Sequence, residues 1–226
     1  MIKITLWLVA LLLVSPAQAI YLSSGVFTLE SGSSFFSRQF VNNTQNTNLY
    51  VISAYRINKP GVDERPLPVE NGEILYTPLK KMVEPGGWEY FKIFYRGAAD
   101  DRERYYRIVI KEIPANAIAI PNQSKMPLVT PTVALDTILV IRPRQMRFTY
   151  HYDPRSGQLK NTGNSYFRVM IHQSCDAKDD IAKVFNLLPG ESYIGEDLRG
   201  QHRKFIIAFN KYIHLGEQCF ESVPSS

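Results

Sequence analysis

Residues 88–95 read WEYFKIFY and residues 104–111 read RYYRIVIK, two runs dense in Tyr, Phe, Ile and Val, the first preceded by Pro85-Gly86-Gly87 and the second by Asp100-Asp101. Aromatic and β-branched residues bracketed by turn formers are the mark of a β-strand. Working outward, the same texture predicts strands over residues 25–29, Phe35–Val41, 49–57, Ile74–Thr77, Val133–Ile141 and 146–152. A second group follows over Gln158–Asn161, 166–172, 183–188, 205–210 and 212–215. Turn signals recur about every ten residues and helical periodicity is hard to find, which predicts an all-β sandwich architecture. One sandwich of about 100 residues cannot use all of these strands, so two β domains are expected, the larger first, with the boundary between residues 145 and 146. No Pro/Gly/Ser linker marks that boundary, and a tight junction is expected there.

The chain has 226 residues, of which 45% are hydrophobic, 21% charged and 12% aromatic, a composition that excludes disordered, collagenous and coiled-coil proteins. Lys3, the apolar run of residues 6–14 and Pro16 ahead of Ala17-Gln18-Ala19 read as a secretory signal peptide over residues 1–19, so the mature chain is expected to begin near Ile20 and to be exported. That run is shorter than the ~20 residues a spanning helix needs, and no later stretch reaches that length, so no membrane insertion is expected. Without the leader the formal charge falls from +5 to about +4, too little to mark a nucleic-acid binder. Cys175 and Cys219 are the only cysteines. Export permits a disulfide, and if one forms they can pair only with each other, closing a loop worth about 4 kcal/mol in the chain-entropy model. A metal site fits less well, because the two thiols are far apart and none of His151, His172, His202 and His214 stands at ligand spacing to them.

Motifs of catalysis are missing: there is no GxSxG, no HExxH and no Gly-rich phosphate loop, so neither an enzyme nor a cofactor is expected. His172 lies in a strand and reads as structural. Asp100, Asp101 and Glu103 beside Arg102 and Arg104 read as a solvated turn with mutual salt bridges. Asn42-Asn43-Thr44 and Asn122-Gln123-Ser124 fit the glycosylation sequon, a pattern short enough for chance. Between Pro114 and Val133 a segment with four prolines and little alternation reads as a long mobile loop, and long loops inside compact domains usually carry function.

Three features stand out. Arg142-Pro143-Arg144 places two guanidiniums next to the domain junction, either a fork for a carboxylate or phosphate or a solvated strand corner. Arg38 shares one strand face with Phe36 and Phe40, so its charge must meet an acid, open onto a cleft, or reach solvent along its stem. Finally, Val133, Leu135, Thr137, Leu139 and Ile141 form one row of a strand whose opposite row, Ala134, Asp136, Ile138 and Val140, is also largely apolar. Such a strand is either central and buried on both sides or an edge that invites another chain to pair with it.

Residues 102–115, RERYYRIVIKEIPA, followed by a proline-rich loop and an apolar strand, resemble the end of the first domain in periplasmic pilus-assembly chaperones. Residues 75–97, LYTPLKKMVEPGGWEYFKIFYRG, resemble the same family. TILVIRPRQ at residues 137–145 and KNTGN at residues 160–164 are similar to the alternate chaperone–usher branch, in particular the common pilus chaperones. The resemblance extends over nearly the whole mature chain. It implies two immunoglobulin-like domains in an L-shaped arrangement, a periplasmic location, pilin (fimbrial) subunits and an outer-membrane usher as partners, and self-association of the free protein as an open question. In such a family the first domain lends a strand to an incomplete subunit. Position by position, Val133–Ile141 would be the lent strand, inserting Val133, Leu135, Leu139 and Ile141 with Thr137 as a polar interruption. The subunit's terminal carboxylate would be held by Arg38 and by Arg144, with Arg142 in reserve, because no Arg or Lys occurs over residues 20–37 to serve as a first-strand anchor. An exported pilus subunit or adhesin is the chief rival, and it should carry a donor extension that residues 20–34 do not resemble. A carbohydrate-binding sandwich would need exposed Trp and Tyr, whereas Trp88 reads as lying in a core strand.

Overall fold

The computed structural model describes residues 19–69, 72–117, 132–216 and 219. Residues 1–18 of the expected leader, Asn122 with its sequon and most of the proline-rich segment lie outside them. The first strands are β1 (Tyr21–Leu22), β2 (Val26–Leu29), β3 (Phe35–Val41), β4 (Asn48–Ile57), β5 (Pro66–Leu67), β6 (Ile74–Thr77), β7 (Lys80–Val83), β8 (Trp88–Tyr95), β9 (Arg104–Pro114) and β10 (Val133–Ile141). They are followed by β11 (Tyr150–Asp153), β12 (Gln158–Asn161), β13 (Phe167–Ile171), β14 (Lys183–Leu187), β15 (Ser192–Ile194), β16 (Lys204–Ala208) and β17 (Lys211–His214). By spatial proximity the chain forms two compact units. One holds the described residues up to Phe27 with Ser34–Gly97 and Tyr105–Leu139, the other Thr28–Ser33, Ala98–Arg104 and the described residues from Val140 onward.

In the first sandwich one sheet runs β1-β3-β8-β6 and the other β2-β10-β9-β4-β5, with β7 also paired to β4. Alternate residues of β8 turn inward, and Phe40 on one sheet meets Tyr50 on the other with ring centroids 4.9 Å apart, both residues fully buried. The turn Pro85-Gly86-Gly87 before β8 needs its glycines: Gly86 has φ +71°, and a Cβ on Gly87 would sit 3.0 Å from both the Glu84 carbonyl and Val83 Cγ1.

The chain start changes sheets. Tyr21 and Leu22 pair with Val41 and Phe40 of β3. After the break at residues 23–25 the chain pairs with β10 instead, where the Ile138 N–H donates to the Gly25 carbonyl at 2.9 Å and the Arg142 N–H to the Leu29 carbonyl at 3.0 Å. Both positions advance together along the chain, so β2 and β10 are parallel.

The second sandwich packs β11-β12-β15 on β14-β13-β16-β17. Its core is small, built on Leu159, Phe167, Val169, Ile171, Leu198 and Ile206, and Cys175 and Cys219 are joined in a disulfide with Cα atoms 5.6 Å apart. The expected strand over residues 146–152 begins only at Tyr150. The backbone ahead of it is used otherwise, since the Arg147 N–H donates to Asn164 Oδ1 at 2.7 Å and the Asn164 N–H returns to the Arg147 carbonyl at 3.1 Å.

Candidate functional site

β10 leaves its own core as it is followed toward its start. Leu139 and Thr137 are 0% exposed and Ile141 5%, whereas Val133 is 41% exposed and Leu135 half-buried. The Thr137 hydroxyl donates to the Ile108 carbonyl at 3.0 Å, satisfying a polar group that burial would otherwise penalise. Of the expected inserted row, Leu139 and Ile141 thus face the chain's own interior, Thr137 is an interior residue with its hydroxyl bonded, and Val133 and Leu135 are the accessible members. Alternation settles which face a side chain takes, and the depth of the sandwich settles how many of that face are covered. On the opposite row Ala134 and Asp136 are exposed, Ile138 half-buried and Val140 buried.

The edge of β10 is covered along half its length. Continuing the parallel register backward from Gly25 and Ile138 would set residues 20–24 beside residues 133–137, but Tyr21 and Leu22 are bonded to β3 in the other sheet. Among the described residues no strand occupies that side of β10 over residues 133–137, so its backbone groups form an open edge.

The three arginines meet different fates. Arg38, on β3 of the first unit, lies between buried Phe36 and Phe40 in its row yet is exposed. Its guanidinium lies 4.7 Å from the Phe36 ring centroid and 5.9 Å from that of Phe27, and no carboxylate pairs with it among the described residues. The stem thus runs out across aromatic faces and the charge stays available. Arg142 is consumed inside the second unit. Its Nη1 donates to Glu103 Oε2 at 3.0 Å, to the Tyr166 carbonyl at 3.1 Å and to Ser165 Oγ, and its guanidinium covers the Tyr166 ring at 4.1 Å. Glu103, with its side chain 1% exposed, also accepts from the Ser165 hydroxyl at 2.6 Å and the Tyr166 N–H at 3.1 Å. The guanidinium proposed as a reserve anchor is thus already paired with Glu103. Arg144 is exposed, its N–H tied to the Asp100 carbonyl at 2.9 Å and its side chain without an ion pair among the described residues.

Glu103, Ser165 and Tyr166 are not legible in the sequence as partners of Arg142, being 23 to 63 residues from the groups they bind. Nor is the acidic cluster a wholly solvated turn. Asp100 does take Arg104 in a two-pronged bond at 2.6 and 2.7 Å, which holds its carboxyl down at about 2 against an ordinary 3.8, but Glu103 is interior. His172 is structural as expected: it is fully enclosed, with Nδ1 3.1 Å from the Arg203 carbonyl and Nε2 2.8 Å from Asp179 Oδ1. Asn42 is also buried, its amide donating to the carbonyls of Val83 and Asn46, a position closed to glycosylation. Trp88 departs from expectation. It stands 57% exposed on the outer face of β8 beside Tyr90, because its position, like those of Tyr90 and Phe94, belongs to the row opposite buried Phe91 and Ile93.

Two immunoglobulin-like sandwiches, the first carrying a strand of which half of one edge is uncovered by any described strand, define an all-β protein of the pilus-chaperone class in fold. No model of a known protein family matches the chain. It is 34% identical over 226 residues to the probable fimbrial chaperone EcpE of Escherichia coli K12, with 99% of this chain and 95% of that one covered. It is 32% identical over 184 residues to the probable fimbrial chaperone EcpB of Klebsiella pneumoniae strain 342, with 79% and 82% covered. The chain belongs to the fimbrial chaperone family. Among solved structures it is similar in fold to the class 5 fimbriae chaperone CfaA, at TM-score 0.55 and 15% identity over 87% of this chain and 93% of that one. It is similar also to a chain of the Salmonella enterica SafA pilin in complex with the SafB chaperone, at TM-score 0.55 and 14% identity over 89% and 95%.

Proposed function

We propose that this protein is exported to the periplasm, binds newly arrived fimbrial subunits by lending them the exposed start of β10, and delivers them to an outer-membrane usher. The observation that carries the reading is the exposure gradient along β10 from Leu139 at 0% to Val133 at 41%, next to an edge that β2 leaves bare. Residues 20–145 would act as the lending domain and residues 146–226 as its companion. A subunit strand laid along residues 133–137 would complete the backbone ladder, while Val133 and Leu135 enter the subunit's interior. The SafA pilin–SafB chaperone pairing supports a pilin as the guest.

Arg38 and Arg144 each keep a guanidinium free of any carboxylate among the described residues. They are the groups proposed to hold a subunit's terminal carboxylate, each charge-assisted bond contributing about 1.5–3 kcal/mol and fixing register. The donor extension expected of a structural subunit has no counterpart among the described residues, since Tyr21, Leu22 and residues 26–29 are spent on the protein's own sheets. The test is co-expression of the full chain with a fimbrial subunit and measurement of soluble subunit in the periplasm. Wild-type protein should protect the subunit, and Val133→Glu with Leu135→Glu should not. Equal recovery with both would refute the proposal.

A further inference from the structure

Phe209 is held in a conformation that its side chain does not favour. β16 and β17 are joined by the two-residue turn of Phe209 and Asn210, with Ala208 opposite Lys211, and both turn residues have positive φ, 51° and 58°. A tight hairpin in a right-twisted ribbon demands that geometry, which Asn-Gly meets at little cost and Phe does not. Burial does not compensate, because the ring is 55% exposed. Strained residues of this kind gather where binding rather than folding dictates the side chain.

The surroundings say what the ring could bind. Phe209 stands edge-on to Phe148 with centroids 5.9 Å apart, and the two rings, together with Met146, Tyr166 and Arg168, line a pocket of about 420 Å³ in the second unit. Two residues of its lining carry a guanidinium. That of Arg142 is answered by Glu103, whereas Arg168 is exposed on β13 and takes no ion pair among the described residues. Glu30, the single acid of the lining, is exposed at the rim. Aromatic walls beside an unanswered cation suit a peptide in which an apolar side chain neighbours a carboxylate.

We propose that this pocket is a second subsite for the bound subunit, seating an apolar side chain between Phe209 and Phe148 and an adjacent carboxylate on Arg168. The inference rests on the chaperone reading and adds to it a contact made by the second unit. The probe is a blocked dipeptide, acetyl-Phe-Asp-amide, titrated at millimolar concentration into the isotope-labelled mature protein and followed by NMR, with acetyl-Phe-Lys-amide as control. The expected result is shifts centred on Phe148, Arg168 and Phe209, weaker for the lysine peptide. Phe209→Gly should abolish them without lowering the melting temperature, since glycine accepts positive φ freely, and should weaken subunit binding about tenfold. Arg168→Gln should erase the preference for the acidic peptide. Shifts scattered elsewhere, or a Phe209→Gly variant that melts earlier yet binds peptide as before, would overturn the proposal. Should Phe209→Gly hold the subunit as tightly as wild type while the Val133→Glu, Leu135→Glu variant releases it, the pocket is refuted and the chaperone reading stands. Should wild-type protein bind peptide but no subunit, the occupant assigned here is wrong.

Discussion

Substituting the two ends of β10 separates stability from binding. Leu139 is fully buried, and Leu139→Ala removes most of a close-packed side chain, a change that costs about 2–5 kcal/mol depending on how far the surroundings collapse. Val133 is 41% exposed, so Val133→Ala should stay within about 0.5 kcal/mol. With a urea dependence of about 2 kcal/mol per molar, the middle of the usual range, the Leu139 variant should unfold about 1–2.5 M earlier, and the Val133 variant should be indistinguishable from wild type. Trp88 makes the measurement selective. Of the two tryptophans in the sequence the other, Trp7, lies in the expected leader, and Trp88 sits on β8 of the first sandwich, 57% exposed, so its fluorescence in the mature protein follows that domain. Subunit recovery should show the opposite order at unchanged chaperone level, with Val133→Glu failing. A Leu139→Ala protein that unfolds at the wild-type midpoint but no longer recovers subunit would refute the assignment of Leu139 to the interior and restore it to the lent row.

The remaining expectations concern charge and covalent closure. Arg144→Ala should lower subunit recovery with no change in the unfolding midpoint, whereas Arg142→Ala should destabilise the second compact unit by about 3–5 kcal/mol, because the buried Glu103 loses the Arg142 cation; hydrogen exchange at Val169 and Ile206 reads this directly. Reducing the Cys175–Cys219 bond, which closes a separation of 44 residues, should cost that unit about 4 kcal/mol in the chain-entropy model, seen as earlier urea unfolding with dithiothreitol. Asp100 has a folded value of about 2, below its ordinary 3.8. Its stabilising contribution is therefore full above that ordinary value and lost as pH falls through about 2, and Asp100→Asn should flatten an acid-unfolding curve in that window.

Much of the architecture is readable from residue pattern alone, and where it is not the reason is physical. Phe35–Val41, Ile74–Thr77, Trp88–Tyr95 and Gln158–Asn161 form the strands expected of them, since each carries its own turn signals and apolar content. Lys80–Val83 escapes such a reading because two lysines open it, and Tyr21–Leu22, Pro66–Leu67 and Ser192–Ile194 are too short to show a period. At the candidate site, period two correctly places Arg38 in the row of Phe36 and Phe40 but cannot reveal that its stem escapes over those rings. The same period puts Val133 and Leu139 on one face without saying where the interior ends. Arg142 reads as available because the carboxylate that claims it lies 39 residues earlier, inside a cluster that looks wholly solvated. Phe209 gives no signal at all: it sits at the end of an apolar run, where a core position and a hairpin tip look alike.

The crossing of residues 23–25 from one sheet to the other limits what an engineer can do with this scaffold. Lengthening β2 backward, so that it zipped against Val133, would yield a sturdier and better-behaved monomer, less prone to stick to its own kind. It would also be a molecule with nothing left to lend, so screening variants for thermal robustness alone would select steadily for idle ones.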